Sequence, residues 1–340
     1  MNTMRKFLLS LFILFLTAWV NETYAQISKV GTSASEFLRI PVGARASAMS
    51  AFTATVNDPS AMVLNPAGLA DVTKNQVLVE FTDWYLDLTH SYVGIGIPTK
   101  KGVAGVHVLA MNYGEFDETT ELAQGKTGRT FSAYSLTVGG SYSQYMNENL
   151  SIGGTIKLVY EKIESTSASG IAFDVGTLYE TPFDQIRFGV SVTNVGTKMQ
   201  IRGNGLIKSC DLDELSEGNA ETDCNLATQE YDLPLMLRVG LAWDAFNTED
   251  IRATLTLDGN NPSNNVQSFS VGGEISLMNN LVQLRGGIPY IGQDDRIETF
   301  NAGIGIKYQV DSTLGLGFNY VYHGYEYLGD VNKLSLQVHF

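Results

Sequence analysis

The chain has 340 residues, 44% of them hydrophobic, and carries 34 Gly against only 8 Pro. Its 22 Lys and Arg face 36 Asp and Glu, for a formal net charge of −14. That balance excludes a nucleic-acid partner, or an anionic surface, held through basic patches. Many Gly and few Pro suit strands that bend sharply without losing ladder hydrogen bonds.

The N-terminus opens with Arg5 and Lys6, followed by an uncharged apolar run from Phe7 to Val20. The run is short for a membrane span and has the length of a signal-peptide core. Thr23-Tyr24-Ala25 puts small residues at the positions a signal peptidase reads, so residues 1–25 are expected to be a cleaved signal peptide with Gln26 following the cut. No Cys follows the apolar run, and a lipid anchor is not indicated. No later stretch is long and apolar enough for a transmembrane helix. If the chain enters a membrane it must do so as a closed barrel, since only helices and barrels satisfy every backbone polar group in hydrocarbon.

From about Asn75 onward the sequence alternates with period two. Leu150, Ile152, Ile156 and Leu158 oppose Ser151, Gly153, Thr155 and Lys157; Ile251, Ala253, Leu255 and Leu257 oppose Arg252, Thr254, Thr256 and Asp258. Such alternation marks strands with one apolar and one polar face. It does not separate a soluble sandwich from a membrane barrel, but the connections do. About fourteen segments fit between residues 75 and 340, an even number as in bacterial outer-membrane barrels. Connections after even-numbered strands are short: 99–101, 146–148, 181–184, 246–249, 279–280 and 309–311. Several after odd-numbered strands are longer: 114–129, 197–231, 291–296 and 324–329. Sorting by parity fits a barrel with short periplasmic turns and long outer loops. The expected fold is all-β, a single antiparallel transmembrane β-barrel spanning residues 75–340.

The last strand alternates Leu334, Leu336, Val338 and the terminal Phe340 with Ser335, Gln337 and His339. Leu336, Val338 and Phe340 resemble the C-terminal signal read by the barrel assembly machinery, an expected partner along with outer-membrane lipid. Aromatic residues near strand ends, such as Trp84, Tyr85, Tyr145, Tyr179, Tyr290 and Tyr325, fit interfacial girdles.

Residues 26–74 lack the alternation. They run through Gly43-Ala44-Arg45, Met49 and Asp58 to Asn65-Pro66-Ala67-Gly68-Leu69, rich in small residues and punctuated by a tight turn at Asn65-Pro66 and Gly68. A short helix over Ser60–Leu64 is expected, with Asp58 as its N-cap and Pro59 at its first position. Such a compact segment ahead of a barrel suggests a hatch folded into the lumen.

Gly43, Arg45, Met49, Asp58, Asn65, Pro66 and Gly68 together resemble the hatch motif of the PorV/PorQ family of Bacteroidota outer-membrane proteins, a branch of the FadL-like fourteen-stranded barrels. The resemblance implies localisation in the outer membrane. It also implies a role in type IX secretion, with secretion-system subunits or the C-terminal signal domains of cargo proteins as partners, during transfer of cargo to the cell surface. The FadL-like relationship leaves a second reading, an outer-membrane transporter of hydrophobic small molecules.

Individual residues divide into structural and functional readings. Arg45, inside a lumen, needs a carboxylate; Glu161, Asp174, Asp258 and Glu274 have inward register, and a hatch–barrel ion pair stands beside a ligand-binding role. Cys210 and Cys224 share one polar segment of an exported chain and are expected to form a disulfide, the other reading being two free thiols. That segment, 197–231, is acidic through Asp211, Asp213, Glu214, Glu217, Glu221, Asp223 and Glu230. Its spacing fits no EF-hand, which favours a solvated outer loop over a cation site. No metal or cofactor is expected. The four histidines, His90, His107, His323 and His339, lack metal spacing, and the usual catalytic motifs are missing, so the chain reads as a non-enzyme.

Overall fold

A computed structural model describes residues 30–120, 125–182, 185–210, 222–248, 250–293 and 296–340. The expected signal peptide, 1–25, and Asp211, Asp213, Glu214, Glu217 and Glu221 of the acidic segment lie outside the described residues.

Fourteen long strands form the wall. They are β1 (Gln76–Asp83), β2 (Thr89–Pro98), β3 (Val103–Thr119), β4 (Lys126–Asn147), β5 (Leu150–Ile163), β6 (Thr166–Glu180) and β7 (Ile186–Gly196), then β8 (Met236–Asn247), β9 (Ile251–Pro262), β10 (Ser268–Leu277), β11 (Val282–Ile291), β12 (Glu298–Gln309), β13 (Gly315–Tyr325) and β14 (Val331–His339). Each pairs antiparallel with its neighbours in sequence. The ring closes between first and last, Gln76 opposite His339 through Asp83 opposite Asn332. A two-residue strand, Arg202–Gly203, adds to the outer end of β6. Closure removes the edges that would leave backbone groups unpaired in lipid.

Alternation along the strands sends apolar side chains outward. On β1, Val79 and Phe81 are 44% and 51% exposed, whereas Glu80 and Thr82 between them are 2% and 0% exposed. The same inversion recurs on β5, where Ile152, Ile156 and Leu158 face out and Ser151, Thr155 and Lys157 are buried. A soluble protein would bury the first set; a membrane barrel shows it to lipid.

Turns after β2, β4, β6, β8, β10 and β12 are short and lie at one end, with the start of β1 and the end of β14. That end is the periplasmic one. At the other end, one expected loop is instead strand. Residues 114–129 mostly extend β3 and β4 beyond the rim, pairing Glu115 with Ser132 and Asp117 with Thr130. The cross-strand rings of Phe116 and Phe131 stack at 5.4 Å and hold this extension together. The segment after β7 is a long excursion containing the hairpin Ile207–Cys210 with Thr222–Asn225, and Cys210 and Cys224 are joined by a disulfide.

The N-terminal segment fills the lumen. It is tied at the outer end, where Ser33 bridges Asp232 and the Ala34 amide donates to the Asp232 carbonyl at 3.0 Å. It then passes through α1 (Ala44–Met49), α2 (Ala61–Leu64) and a 3-10 turn (Pro66–Asp71), reaching the periplasmic end where Tyr145 donates to Asp71. The expected helix over 60–64 begins one residue later than Ser60. Ser60, not Asp58, is therefore its N-cap, and Pro59 lies outside the helix; the Asp58 carboxylate accepts from the Ser60 amide at 2.8 Å and shapes the turn that leads in.

Candidate functional site

Two features dominate the interior: the seam between hatch and wall, and a cavity above the hatch at the outer end.

The seam begins with Arg45. Its Nε and Nη2 donate to Glu274 on β10 at 2.9 and 3.0 Å, and its Nη1 donates to the Thr55 carbonyl at 2.7 Å. Glu274 also accepts from Arg285 of β11 at 2.7 Å and from Arg252 of β9 at 3.4 Å. One carboxylate thus holds three guanidiniums, two from the wall and one from the hatch. The other expected partners of Arg45 have different roles. Asp174 pairs with Lys157 at 2.7 Å and accepts from the Asn194 amide at 2.6 Å. Asp258 accepts the Phe52 and Thr53 amides at 2.8 and 2.9 Å. Glu161 accepts from Ser135 at 3.4 Å.

Asn65 caps the 3-10 turn through the Ala67 amide and donates to the carbonyls of Thr53 and Thr177 at 2.8 and 3.2 Å. Ser143 and Ser151 both donate to the Ala67 carbonyl. On the opposite wall, Lys333 of β14 bridges Glu80 of β1 at 3.2 Å and the hatch, donating to the Pro41 carbonyl and to Ser47.

The hatch backbone also presses against inward-facing glycines. A Cβ on Gly272 would stand 1.8 Å from the Met49 carbonyl oxygen, and one on Gly176 would stand 1.9 Å from the Asn65 side-chain oxygen. No side chain fits at either position while the hatch is seated. Gly43 adopts φ +83° just before α1, and a Cβ on Gly68 would strike the Val56 carbonyl, so the hatch's own glycines serve its internal turns.

The outer cavity has a volume of about 390 Å³. Arg39, Pro41, Ser47, Ser50 and Phe52 of the hatch form its floor. Trp84, Tyr85, Arg238, Tyr290, Glu298, His323 and Tyr325 contribute its walls. Trp84, Tyr85 and Tyr325 form one aromatic cluster, with ring centroids 5.5–6.1 Å apart. His323 and Glu298 pair at 3.1 Å. The Arg238 guanidinium lies 5.4 Å from the centroid of the Phe52 ring. A second cavity, about 260 Å³, opens at the periplasmic end between Asp71, Lys74, Lys307 and His339, so hatch residues separate the two.

Sequence reasoning placed Gly43, Arg45, Met49, Asp58, Asn65, Pro66 and Gly68 in a hatch. The structure puts all seven inside the barrel, though only some at the seam: Arg45, Met49, Asn65 and Pro66 meet the wall, while Gly43, Asp58 and Gly68 shape hatch turns. Leu336 and Phe340 point outward, and the Phe340 amide donates to the Asn75 carbonyl at 2.9 Å. Arg238, Arg285, Lys157 and Lys333 were not singled out from the sequence. Their signal was available, since each is a cation at inward register in a strand whose alternate residues are apolar. Among the described residues no group of three or more His, Cys, Asp and Glu side chains could hold a metal ion.

The profile of an uncharacterised protein family, UPF0164, matches residues 16–178. No curated protein matches the chain significantly. Solved structures do. The Ralstonia pickettii toluene transporter TbuX superposes with a TM-score of 0.55 at 12% identity, over 87% of this chain and 97% of that one. The Pseudomonas putida toluene transporter TodX gives 0.55 at 12% identity, over 87% and 96%. A Pseudomonas aeruginosa FadL homologue gives 0.51 at 12% identity, over 87% and 97%. At such identities the likeness concerns architecture, and the architecture of this chain is that of the FadL-type outer-membrane barrels.

Proposed function

We propose that the protein is an outer-membrane accessory of the PorV/PorQ type, which holds secretion-system subunits or cargo signal domains at its outer rim during type IX secretion and surface attachment. The observation that carries this reading is the division of labour in the barrel. The lumen is occupied by a hatch bonded to wall strands all round, while β3, β4 and the disulfide-stapled excursion after β7 extend outward. A plugged barrel with a built-up rim is suited to gripping a protein from outside. The hatch motif supports the same assignment. Affinity capture of the tagged protein from native membranes, after crosslinking, tests it. Co-recovery of secretion subunits or signal-domain cargo is expected, and their absence from repeated captures refutes the reading.

A second reading, transport of hydrophobic small molecules, is favoured by one observation: the shared architecture with the toluene transporters, together with an aromatic-lined cavity above the hatch. Uptake of a labelled hydrocarbon that is unchanged by deletion of the gene counts against it.

A further inference from the structure

Among the described residues, four cations line the outer cavity, and three of them are engaged. Lys333 is held by Glu80, Pro41 and Ser47. Arg39 pairs with Glu36 at 3.2 Å and reaches Asn264 at 3.4 Å. Arg296 donates to the Pro289 carbonyl at 3.3 Å. Arg238 is 6% exposed, yet among the described residues it has no ion-pair and no hydrogen-bond partner. The nearby carboxylate, Asp258, accepts the Phe52 and Thr53 amides and the Thr53 hydroxyl through Oδ2, and makes no hydrogen bond or ion pair with Arg238.

A largely buried guanidinium without an ion pair is costly, and proteins keep such a group where something completes it. The geometry says what could. The Arg238 guanidinium carbon lies over the Phe52 ring, a contact that uses none of its N–H groups and leaves them for another partner. Phe52 is itself fixed, because its amide is bound by Asp258. A planar two-oxygen anion matches those N–H groups in a bidentate arrangement. The remaining lining suits a ring: Trp84, Tyr85 and Tyr325 cluster on the same cavity, with Tyr290 and the amides of Asn260 and Asn301. A volume of about 390 Å³ falls in the range of small-ligand pockets.

We infer that the outer cavity binds a small aromatic carboxylate, anchored by Arg238 and enclosed by the aromatic cluster. The site goes beyond the protein-holding role proposed above and stands independently of it, because among the described residues the cavity lies on the outer side of the seated hatch.

The test uses the full-length protein in detergent, titrated with benzoate and phenylacetate. Saturation-transfer NMR on the ligand, with tryptophan fluorescence as a second readout, reports binding. Saturable binding is expected, with benzamide, the neutral isostere, weaker by about tenfold or more. Arg238→Met is expected to lose benzoate binding while its thermal unfolding is not lowered, a combination that a purely structural arginine would not give. Should that variant fail to fold, Arg238→Lys keeps the charge but loses the planar fork, and its affinity is expected to fall several-fold. Equal affinity for benzoate and benzamide overturns the proposal. So does wild-type affinity in either Arg238 variant, or no saturable binding at millimolar ligand.

Discussion

Glu274 is the group whose removal is most informative. Both of its oxygens are used: Oε2 accepts from Arg45 Nε at 2.9 Å and Arg285 Nε at 2.7 Å, and Oε1 from Arg45 Nη2 at 3.0 Å and Arg252 at 3.4 Å. Glu274→Ala removes the shared carboxylate and leaves three cations facing one another. Arg285 keeps Asn319 at 2.7 Å, and Arg45 keeps the Thr55 carbonyl at 2.7 Å, but neither is a charge. Breaking a buried pair in this way costs about 3–5 kcal/mol. Arg45→Met removes one of the three cations, and Glu274 retains the other two. The cost is then that of lost hydrogen bonds, about 1–3 kcal/mol. The hatch side of the seam bears the difference, so hydrogen exchange of the amides in α1 is the assay. At about 1.4 kcal/mol per factor of ten, Glu274→Ala should speed exchange by roughly two to three and a half orders of magnitude, and Arg45→Met by about one to two. Equal effects, or no effect of Glu274→Ala on α1, would show that the cluster does not fasten the hatch.

The other predictions concern fit, covalent stapling and pH. Gly272→Ala places a Cβ against the Met49 carbonyl and should cost about 1–3 kcal/mol, read as a lower unfolding temperature in detergent, whereas Gly140→Ala, with open space around it, should be silent. Cys210→Ala with Cys224→Ala removes a cross-link worth about 3 kcal/mol to its own loop in the chain-entropy picture. Limited proteolysis should then nick the excursion after β7, while the heat-modifiable gel shift of the barrel stays unchanged. In the periplasmic turn between β12 and β13, the Thr313 hydroxyl and the Thr313 and Leu314 amides donate to Asp311 and hold its carboxyl at about 2. A depressed folded value means that the contribution is full above the ordinary aspartate range and is lost as pH falls towards 2. NMR titration of the Thr313 and Leu314 amides should show their shifts move in that window, and Asp311→Ala should abolish the movement.

Much of the barrel was legible because lipid imposes a strict rule. Each strand must show apolar side chains outward, and period-two runs such as 251–258 state that directly. Parity of the connections followed from the meander, in which every strand pairs with its chain neighbour. The reading failed at 114–129, where Gly114, Asp117 and Gly128 look like loop residues. Beyond the membrane rim no lipid enforces alternation, and pairing there depends on cross-strand contacts such as Phe116 with Phe131. The seam was half legible. Arg45 announced a need for a carboxylate, but four inward acids were available. The choice of Glu274 depends on where α1 lies against β10 and β11, a three-dimensional fact. Arg238 was hidden for a related reason: that it has no ion pair among the described residues becomes visible only when the bonds of the neighbouring side chains have been placed.

The seam also bears on how such a barrel can act. Hatch contacts are spread around the ring: Glu274 on β10, Asp258 on β9, Asn301 on β12, Thr177 on β6, Ser143 on β4, Ser151 and Thr155 on β5, and Lys333 on β14. Strands on all sides therefore hold one short segment. A small displacement cannot open a path, because loosening one side leaves the others bonded and drives backbone against the glycine seat, where Met49 already lies in contact with Gly272 and Gly287. Opening the lumen means releasing many bonds together, including a buried three-arginine cluster, and that cost falls on whatever process requires it. Among the described residues no comparable set of bonds closes the outer side. Among the described residues, the cavity above the hatch and the extended strands of the rim stand on the outer side with every one of those contacts intact. Bonds that seat the hatch therefore resist a process that passes through the lumen more than one that acts at the rim.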